Sequence, residues 1–338
     1  MSSNEVPTQP KLRNIHSHMW LVGTLGILLG LILMVYVPSL PAVSGSILLF
    51  AGFHLIGGLI VLFSAYSLGL RGLLRRLFGR SGPAARSNDY DFGWGPEWMN
   101  GLALFGLAAL AGSVAVMIAA PDFWLLAFLL VLLAVSFFIS NGIMRSFQSR
   151  DHMVLPMVRL LKGQNDMVLD AGCGAGRTTI MLSRILGNGR VVALDRFDAD
   201  YIDEGGRTHI DRNLEIAGLS AKVVVKNGDL TALPFEDGHF TAAVSTNVFD
   251  HLGAGKQTAL NEICRVLEPG GRFLMAVWVP GWTMFAVGNV LSFFLTSKAA
   301  WRGMATAAGL RVVDEGKFNF AWFLLLEKPL APIENAKP

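Results

Sequence analysis

The N-terminal half of the chain carries four long apolar runs that contain no Asp, Glu, Lys or Arg. They are Met19–Val37, Val43–Leu70, Asn100–Ala120 and Phe123–Ile143. A helix needs about 20 apolar residues to cross the hydrocarbon core of a membrane. The pattern therefore predicts an α-helical transmembrane domain of four spans over residues 19–144, preceded by a tail over residues 1–18.

Basic residues lie on one side of these runs only. The turns at 38–41 and 120–122 carry no Lys or Arg, whereas basic residues precede the first run and follow the second and the fourth. They are Lys11, Arg13, Arg71, Arg75, Arg76, Arg80, Arg86, Arg145 and Arg150. Because cytoplasmic loops are enriched in Lys and Arg, we expect a multi-pass membrane protein with both termini in the cytoplasm. Membrane lipids are then expected partners, and small residues such as Gly23, Gly26 and Gly30 permit either close helix packing or a homo-oligomer through the spans.

After Arg150 the apolar runs become short and alternate with helical segments. Strands are predicted at Met167–Asp170, Arg190–Leu194, Lys222–Lys226, Thr241–Ser245, Arg272–Val279, Arg311–Asp314 and Ala321–Glu327. Helices are predicted at His152–Leu161, Thr178–Leu186, Arg207–Ala217, Lys256–Leu267 and Lys298–Ala308. This alternation predicts an α/β domain with a mostly parallel seven-stranded sheet that ends in a β-hairpin. The domain covers residues 150–328, and a tail over residues 329–338 follows it.

The amino-acid composition supports a membrane half and an α/β half, and it argues against a nucleic-acid partner. Hydrophobic residues make up 52% of the chain and charged residues 16%, and the mean hydropathy of +0.48 is too high for an ordinary soluble enzyme. The net charge is +3, and the basic residues flank apolar runs, so no nucleic-acid partner is expected. Cys173 and Cys264 lie far apart, which predicts neither a disulfide framework nor a metal site.

The stretch VLDAGCGAGR, residues 168–177, places a glycine-rich turn between a predicted strand and a predicted helix. Such a turn lets backbone N–H groups approach a nucleotide-like ligand. Its spacing is G-x-G-x-G, whereas the dinucleotide fingerprint is G-x-G-x-x-G, which argues against an NAD-dependent dehydrogenase. Nineteen residues after Gly176 the second strand ends in Asp195, a carboxylate in a position that suits a ribose diol.

Three further motifs follow in order along the α/β half. Asp229 lies in NGDLTALPF after the third strand, Thr246 and Asn247 end the fourth strand, and LEPGGRF precedes the fifth. Together with the glycine turn, these residues resemble a class I S-adenosylmethionine-dependent methyltransferase of the small-molecule group that includes the quinone C-methyltransferases. The resemblance covers roughly residues 150–328, implies a Rossmann-like fold, and leaves the apolar half outside it.

The resemblance implies a role for each matched residue, with S-adenosylmethionine as the cofactor. The turn glycines Gly172, Gly174 and Gly176 would cradle the methionine and ribose parts. Asp170 would face the methionine amino group, and Asp195 would bind the ribose hydroxyls. Asp229 would accept from the adenine amino group beside the N–H of Leu230, and Thr246 or Asn247 would contact the methionine end. For Asp170 or Asp195 taken alone, a helix or turn cap is the structural alternative.

Candidate groups for the chemistry follow the fourth strand. Methyl transfer requires mainly alignment of acceptor and methyl group, and a base is needed only if the acceptor must lose a proton. Asp250 and His251 are the candidate bases, and the structural alternatives are that Asp250 caps the next helix and that His251 is a packing residue. No metal ligand is expected.

An uncharged apolar segment, residues 279–297, interrupts the domain before its last helix. Its length would allow a fifth span, but a span here would separate the last strands from their sheet. A hydrophobic lid and an interfacial helix both fit, and packing against the four spans is a further alternative. We expect aromatic and thioether side chains to line a path for a lipophilic acceptor; these are Trp278, Trp282, Met284, Phe285, Phe293 and Phe294.

The sequence thus favours a membrane-anchored methyltransferase at the cytoplasmic face whose acceptor is a lipophilic small molecule. One alternative is an enzyme for a small soluble metabolite, with the spans serving only as an anchor. Another is a sensor or scaffold that binds S-adenosylmethionine without transferring its methyl group. The methylated atom and the oligomeric state are left open by the sequence.

Overall fold

A computed structural model describes residues 17–66, 90–92, 96–146, 159–198, 206–282, 284, 292, 295–318 and 321–330. The N-terminal half forms four long helices: α1 over Ser17–Tyr36, α2 over Pro41–Tyr66, α3 over Pro96–Ala119 and α4 over Trp124–Ser146. A short 3₁₀ turn over Pro121–Phe123 precedes α4. Helix α1 packs against α2 and α3 against α4, because each pair is joined by a short turn with a proline. These bounds agree with the four predicted apolar runs, except that the predicted end of the second run at Leu70 lies outside the described residues.

The helices differ in what the described residues establish about a membrane. In that part of the chain, one helix, Pro121–Gly142, is long and apolar enough to cross a bilayer, and only 22% of its most apolar stretch is buried. Shorter apolar helical stretches lie at Gly23–Tyr36, Pro41–Gly52 and Ala103–Ala119. One candidate span therefore meets the criteria of length and composition. The domain of four spans stays a prediction.

Two glycines of α1, Gly26 and Gly30, lie in the contact between α1 and α2. A Cβ atom built on Gly26 would lie 2.7 Å from Cβ of Ala51, and one built on Gly30 would lie 2.6 Å from Cγ of Leu48, both on α2. The small residues thus let α1 and α2 approach closely, as in other helix pairs with this pattern. The structure supplies a reason for this glycine stripe within the monomer, and a homo-oligomer stays an untested prediction.

The C-terminal half is a seven-stranded sheet in the order β3-β2-β1-β4-β5-β7-β6. Its strands are β1 Met167–Ala171, β2 Arg190–Asp195, β3 Val223–Asn227, β4 Phe240–Thr246, β5 Leu267–Val277, β6 Arg311–Phe318 and β7 Ala321–Glu327. Strands β1 to β5 are parallel, and β7 runs antiparallel to both β5 and β6. Its helices are α5 Arg177–Ile185, α6 Arg207–Ala217, α7 Lys256–Val266 and α8 Lys298–Ala307. The predicted α/β alternation and terminal hairpin are confirmed.

Strand β6 extends to Phe318, beyond its predicted end at Asp314, because its pairing with β7 continues to Ala321. Both predicted boundaries of β5 also need correction. Strand β5 begins at Leu267, not at Arg272, because Leu267 pairs with Phe240 before the register of the β4–β5 pair shifts. The strand ends at Val277, not at Val279, since its pairing with β7 ends where Val277 faces Trp322. The predicted helix His152–Leu161 lies mostly outside the described residues.

Alternation along β1 divides the core between the two faces of the sheet. Val168 belongs to the apolar cluster that includes residues of α5 and α6, whereas Leu169 and Ala171 belong to the cluster on the α7 and α8 side. All three are fully buried. Because successive side chains of a strand point to opposite faces, Asp170 lies on the α5 side together with Val168. A carboxylate is thereby placed inside the core at the end of the first strand.

Candidate functional site

The glycine turn after β1 has a backbone that side chains would obstruct. Gly172 and Gly176 have φ angles of +87° and +86°, in the left-handed region that favours glycine. A Cβ atom on Gly172 would lie 2.5 Å from Cγ2 of Val248, and one on Gly176 would lie 2.6 Å from Cγ1 of Ile210. The glycine spacing predicts contacts with a ligand, and the structure shows that close packing inside the domain already requires Gly172 and Gly176.

Asp170 is the most buried acidic group of the site. Its Oδ2 accepts a hydrogen bond of 2.6 Å from Oγ1 of Thr179 on α5, and its side chain is only 1% exposed. Within the described part of the chain, its Oδ1 is buried and has no hydrogen-bond partner. Burial raises the pKa of this carboxyl to about 7. Such an atom is costly to leave unpaired, so Oδ1 is suited to receive a donor from a ligand.

Asp195, at the end of β2, ties the glycine turn to the second strand. Its Oδ2 accepts from the N–H of Gly174 at 2.9 Å, and its Oδ1 accepts from the N–H of Phe197 at 2.9 Å. Burial raises its pKa, and these two bonds oppose that shift. Each carboxylate oxygen keeps capacity for one more donor, so Asp195 can shape the turn and also receive hydroxyl groups.

Asp229 follows β3 and lies nearer the solvent. Its Oδ1 accepts from both the N–H and the hydroxyl of Thr231 at 2.8 Å, while its Oδ2 lies 3.7 Å from Nη1 of Arg196. The side chain of the next residue, Leu230, is buried in the core and leaves the backbone to carry any contact. The structure places both residues at the same sheet edge as Asp195, as the sequence predicts.

Thr246 and Asn247 end the fourth strand beside the glycine turn. The hydroxyl of Thr246 lies 3.0 Å from the hydroxyl of Thr178 on α5. Asn247 has a φ angle of +56°, which an asparagine tolerates better than most residues, and its N–H donates to the carbonyl of Ala276 at 2.9 Å. Among the described residues, its Oδ1 is buried and has no hydrogen-bond partner. Oδ1 of Asn247, like Oδ1 of Asp170, is therefore suited to accept a hydrogen bond from a ligand.

Asp250 lies in the 3₁₀ segment Phe249–Gly255 after β4. Its Oδ2 accepts from the N–H of Trp278, which follows β5, at 3.0 Å. Burial raises the pKa of Asp250 to about 7, although this bond and the charge of Lys256 oppose the shift. The cap of α7 is Gly255, with no side-chain cap bond, so the alternative that Asp250 caps that helix is wrong. The carboxyl instead joins the ends of two neighbouring strands.

The neighbouring candidate, His251, has a different position. The residue as a whole is exposed, and its backbone N–H donates to the carbonyl of Val248 at 2.9 Å. Burial of the imidazole and the charge of Lys256 both lower the pKa of His251. Both residues stay candidate bases, and the bond from the N–H of Trp278 fixes the Asp250 carboxyl in place.

Sequence reasoning did not identify Lys256. This residue begins α7 and is half-buried; its Nζ donates to the hydroxyl of Thr296 at 2.8 Å and lies 5.3 Å from the ring centre of Trp301. Burial lowers its pKa, whereas the charge of Asp250 acts in the opposite sense. Lys256 belongs to no periodic pattern or motif of the sequence. Its position between Asp250 and Thr296, at the end of the apolar segment, is visible only in the folded structure.

The apolar segment 279–297 is described in part. Val279 and Met284 are buried, and Trp278 is half-buried beside Asp250. Trp282 is 88% exposed, so its side chain lies at the surface, and its place on an acceptor path stays a prediction. The predicted acceptor residues Phe285, Phe293 and Phe294 lie outside the described residues.

S-adenosylmethionine fits the groups that the structure brings together. The buried Oδ1 atoms of Asp170 and Asn247, unpartnered among the described residues, suit donors such as an ammonium group. The turn that ends at Gly176 leads directly into α5, and a helix N-terminus suits a carboxylate. No group of three or more His, Cys, Asp and Glu side chains suited to a metal ion occurs in the described part of the chain.

Comparison with known proteins agrees with this arrangement. Residues 168–271 match the family described as "Methyltransferase domain". The 2-phytyl-1,4-naphtoquinone methyltransferase of Synechococcus elongatus is 36% identical over 115 residues, which are 32% of this chain and 43% of that protein. The ubiquinone/menaquinone biosynthesis C-methyltransferase UbiE of Azotobacter vinelandii is 33% identical over 113 residues, 33% of this chain and 42% of that protein.

The chain thus spans less than half the length of these two relatives. A solved structure of a SAM-dependent methyltransferase from Aquifex aeolicus superposes with a TM-score of 0.43 at 20% identity, and the match covers 50% of this chain and 84% of that one. The identified family, the order of its motifs and the seven-stranded sheet agree on one conclusion. The α/β half of this chain contains a methyltransferase domain of the class that uses S-adenosylmethionine.

Proposed function

We propose that this chain is a membrane-anchored enzyme that transfers the methyl group of S-adenosylmethionine to a lipophilic acceptor at the cytoplasmic face of the membrane. The observation that carries the proposal is the outward apolar surface of the helices that precede the methyltransferase domain. Among the described residues, large apolar side chains are exposed mainly in that half, for example Leu29 at 50%, Leu107 at 56% and Ile118 at 79%. Only four such side chains are exposed in the described part of the C-terminal half: Ile185, Val224, Trp282 and Leu330.

A bilayer explains this surface better than water does. A contiguous apolar surface of this kind is unfavourable in water and marks a membrane or partner contact. The buried polar residues described in the helices are uncharged, namely Ser44, Ser46, Ser113, Ser136 and Asn141. Uncharged polar residues are tolerated in membrane helices. Oγ of Ser113 donates to the carbonyl of Ala127 on α4, and Oγ of Ser46 donates to the carbonyl of Ala42 within α2. The basic residues on one side of the runs favour a cytoplasmic position for the catalytic half.

Two observations support a lipophilic acceptor. The names of the two relatives refer to a phytyl-naphthoquinone and to ubiquinone and menaquinone biosynthesis. The segment that follows Trp278 is apolar; of its described members, Val279 and Met284 are buried and Trp282 is exposed. Trp278 itself donates its N–H to Asp250. An acceptor dissolved in the bilayer would reach this edge of the sheet without crossing water.

The cofactor supplies an electrophilic methyl group when it is bound, and the protein supplies position and proton control. Asp170 and Asn247 would hold its methionine end, and Asp195 its ribose. Asp250 would accept the acceptor's proton, because its carboxyl is shielded and titrates near neutral pH. The N–H of Trp278 fixes Oδ2 of Asp250 and leaves Oδ1 to receive that proton.

The pH dependence of transfer tests this assignment. The full chain in lipid nanodiscs is given methyl-labelled S-adenosylmethionine and a membrane lipid extract. The initial rate should rise with pH through an apparent pKa of about 7, because only the ionised Asp250 carboxylate accepts a proton. Asp250→Asn should lower the rate by about 10²- to 10⁴-fold.

Two controls separate the carboxyl from general damage. Asp237→Asn changes an exposed aspartate that pairs with Arg265, so the rate and its pH profile should not change. His251→Gln should leave the rising limb in place. If Asp250→Asn keeps the wild-type rate and profile, Asp250 is not the base.

A further inference from the structure

Three residues between α2 and α3 lie against the methyltransferase domain. These residues are Tyr90, Asp91 and Phe92, here called the 90–92 segment. Phe92 is only 4% exposed and belongs to the apolar cluster on the α5 and α6 side of the sheet. Nη2 of Arg184 on α5 donates to the hydroxyl of Tyr90 at 2.6 Å. A piece of chain from the helical half is thus part of the domain that binds the cofactor.

One buried amide joins this segment to the glycine turn. Asn213 on α6 is fully buried, and its Nδ2 donates to the carbonyl of Asp91 at 2.8 Å and to the carbonyl of Ala175 at 2.9 Å. Its Oδ1 accepts from the N–H of Asp91 at 2.9 Å. Ala175 lies between Gly174 and Gly176 in the turn. The same side chain therefore holds the backbone of the 90–92 segment and the backbone of the turn.

A second contact acts at the start of α5. Arg177 is the first residue of that helix, and its guanidinium carbon lies 4.5 Å from the centre of the Phe92 ring. A cation at a helix N-terminus is opposed by the helix dipole. Burial lowers the pKa of Arg177 to about 10, so the group is still charged at neutral pH. The face of an aromatic ring stabilises such a cation, and Phe92 supplies one.

We propose that the 90–92 segment holds the glycine turn in the conformation that binds S-adenosylmethionine, with Asn213 as the positioning residue that connects the two. The inference rests on the proposed function, since that function defines the ligand. It assigns the helical half a second role besides anchoring. The 90–92 segment, which precedes residues 150–328 in the chain, thus supports the cofactor site by holding its glycine turn.

Binding of S-adenosylmethionine to the full chain in nanodiscs, measured by calorimetry, tests the inference. Asn213→Ala leaves buried backbone groups of Asp91 and Ala175 without their partner, and the dissociation constant should rise about tenfold. Phe92→Ala removes the ring that faces Arg177 without changing Asn213, and should raise the dissociation constant about threefold or more. Asn261→Ala removes an exposed amide on α7 and should leave binding unchanged.

Hydrogen exchange separates positioning from loss of folding. In Phe92→Ala, the amides of residues 172–176 should exchange faster while those of β4 keep their protection. Saturating S-adenosylmethionine should restore the wild-type transfer rate in that variant. The inference is wrong if Phe92→Ala and any folded Asn213→Ala protein bind the cofactor as tightly as the wild type. Absence of binding by the wild type would instead overturn the proposed function.

Discussion

The two halves of the molecule treat apolar side chains in opposite ways. In the α/β half, Leu169 and Phe249 are fully buried between sheet and helices. In the helical half, Leu107 and Ile118 face outward, and the buried positions include small residues such as Ala134. A core shielded from water explains the first arrangement, and the proposed membrane would explain the second. The same residue types therefore indicate different solvents according to which side they occupy.

Replacing one leucine by alanine in each half should give the largest difference in unfolding free energy between the two halves. Leu169→Ala removes a fully buried side chain from the middle of the sheet and should cost about 3 kcal/mol of unfolding free energy. Leu107→Ala, at an outward position of α3, should change stability by less than about 0.5 kcal/mol. Pulse proteolysis of the full chain in detergent, over a urea series, measures both. An equal loss for Leu107→Ala would mean that this leucine is packed against protein, contrary to the comparison.

A buried charge distinguishes the α/β half further. The folded-state pKa of Asp170, about 7, lies above its ordinary value of 3.8. Below about pH 4 the carboxyl is neutral in both the folded and the unfolded protein, and its contribution to the unfolding free energy is fully present. As the pH rises through about 7, the buried carboxyl ionises and this contribution is lost. At pH 8, Asp170→Asn should stabilise the cofactor-free protein by about 2 kcal/mol. The same variant should bind S-adenosylmethionine about 10- to 100-fold more weakly, because a charge-assisted hydrogen bond is lost.

Asp166→Asn is the matched control for this pair of effects. Asp166 is also buried, but its Oδ2 accepts from the N–H groups of Lys162 and Gly163, away from the glycine turn. Cofactor binding should be unchanged in that variant. Calorimetric titration and thermal unfolding at pH 5 and pH 8 provide both readouts. A destabilised Asp170→Asn protein with normal cofactor binding would contradict the assigned role.

Removing one buried hydroxyl group from each half should give the smallest difference in unfolding free energy between the two halves. Oγ of Ser113 on α3 donates to the carbonyl of Ala127 on α4 at 2.9 Å, and Oγ of Ser245 on β4 donates to the carbonyl of Ala171 on β1 at 2.6 Å. Ser245→Ala should cost about 1 kcal/mol and Ser113→Ala about 0.6 kcal/mol. Urea midpoints followed separately for each half measure the two losses. A loss above about 3 kcal/mol for Ser113→Ala would show that this bond is shielded as a soluble core would shield it.

Sequence patterns predict the fold of the α/β half well because local periodicity and tertiary burial agree there. The predicted helix Arg207–Ala217 and strand Ala321–Glu327 have the observed bounds. Strand β5 deviates because its early pairing at Leu267 depends on the partner strand and not on local pattern. In the helical half, the four helices were predictable from apolar length alone, but membrane crossing requires knowledge of the surrounding medium.

The site was predictable to the extent that its residues follow strands in a known order. The glycine turn, Asp170 and Asp195 lie together as expected. The contact between Asp91 and Asn213 joins residues 122 positions apart, and no short motif encodes such a contact. Lys256 lies close to Asp250 in the sequence, but its contacts with Thr296 and Trp301 join distant segments, and no motif indicates them. The collisions that require Gly172 and Gly176 were equally invisible, because Val248 and Ile210 come from distant segments.

Transfer of labelled methyl groups by the full chain in lipid nanodiscs tests the central claim most directly. The protein is incubated with methyl-labelled S-adenosylmethionine and a complete cell extract, and the products are partitioned between organic solvent and water. The account predicts that the label enters an organic-soluble product and that Asp170→Asn greatly reduces this transfer. Label confined to water-soluble products would contradict a lipophilic acceptor, and cofactor binding without transfer to either phase would contradict an enzyme.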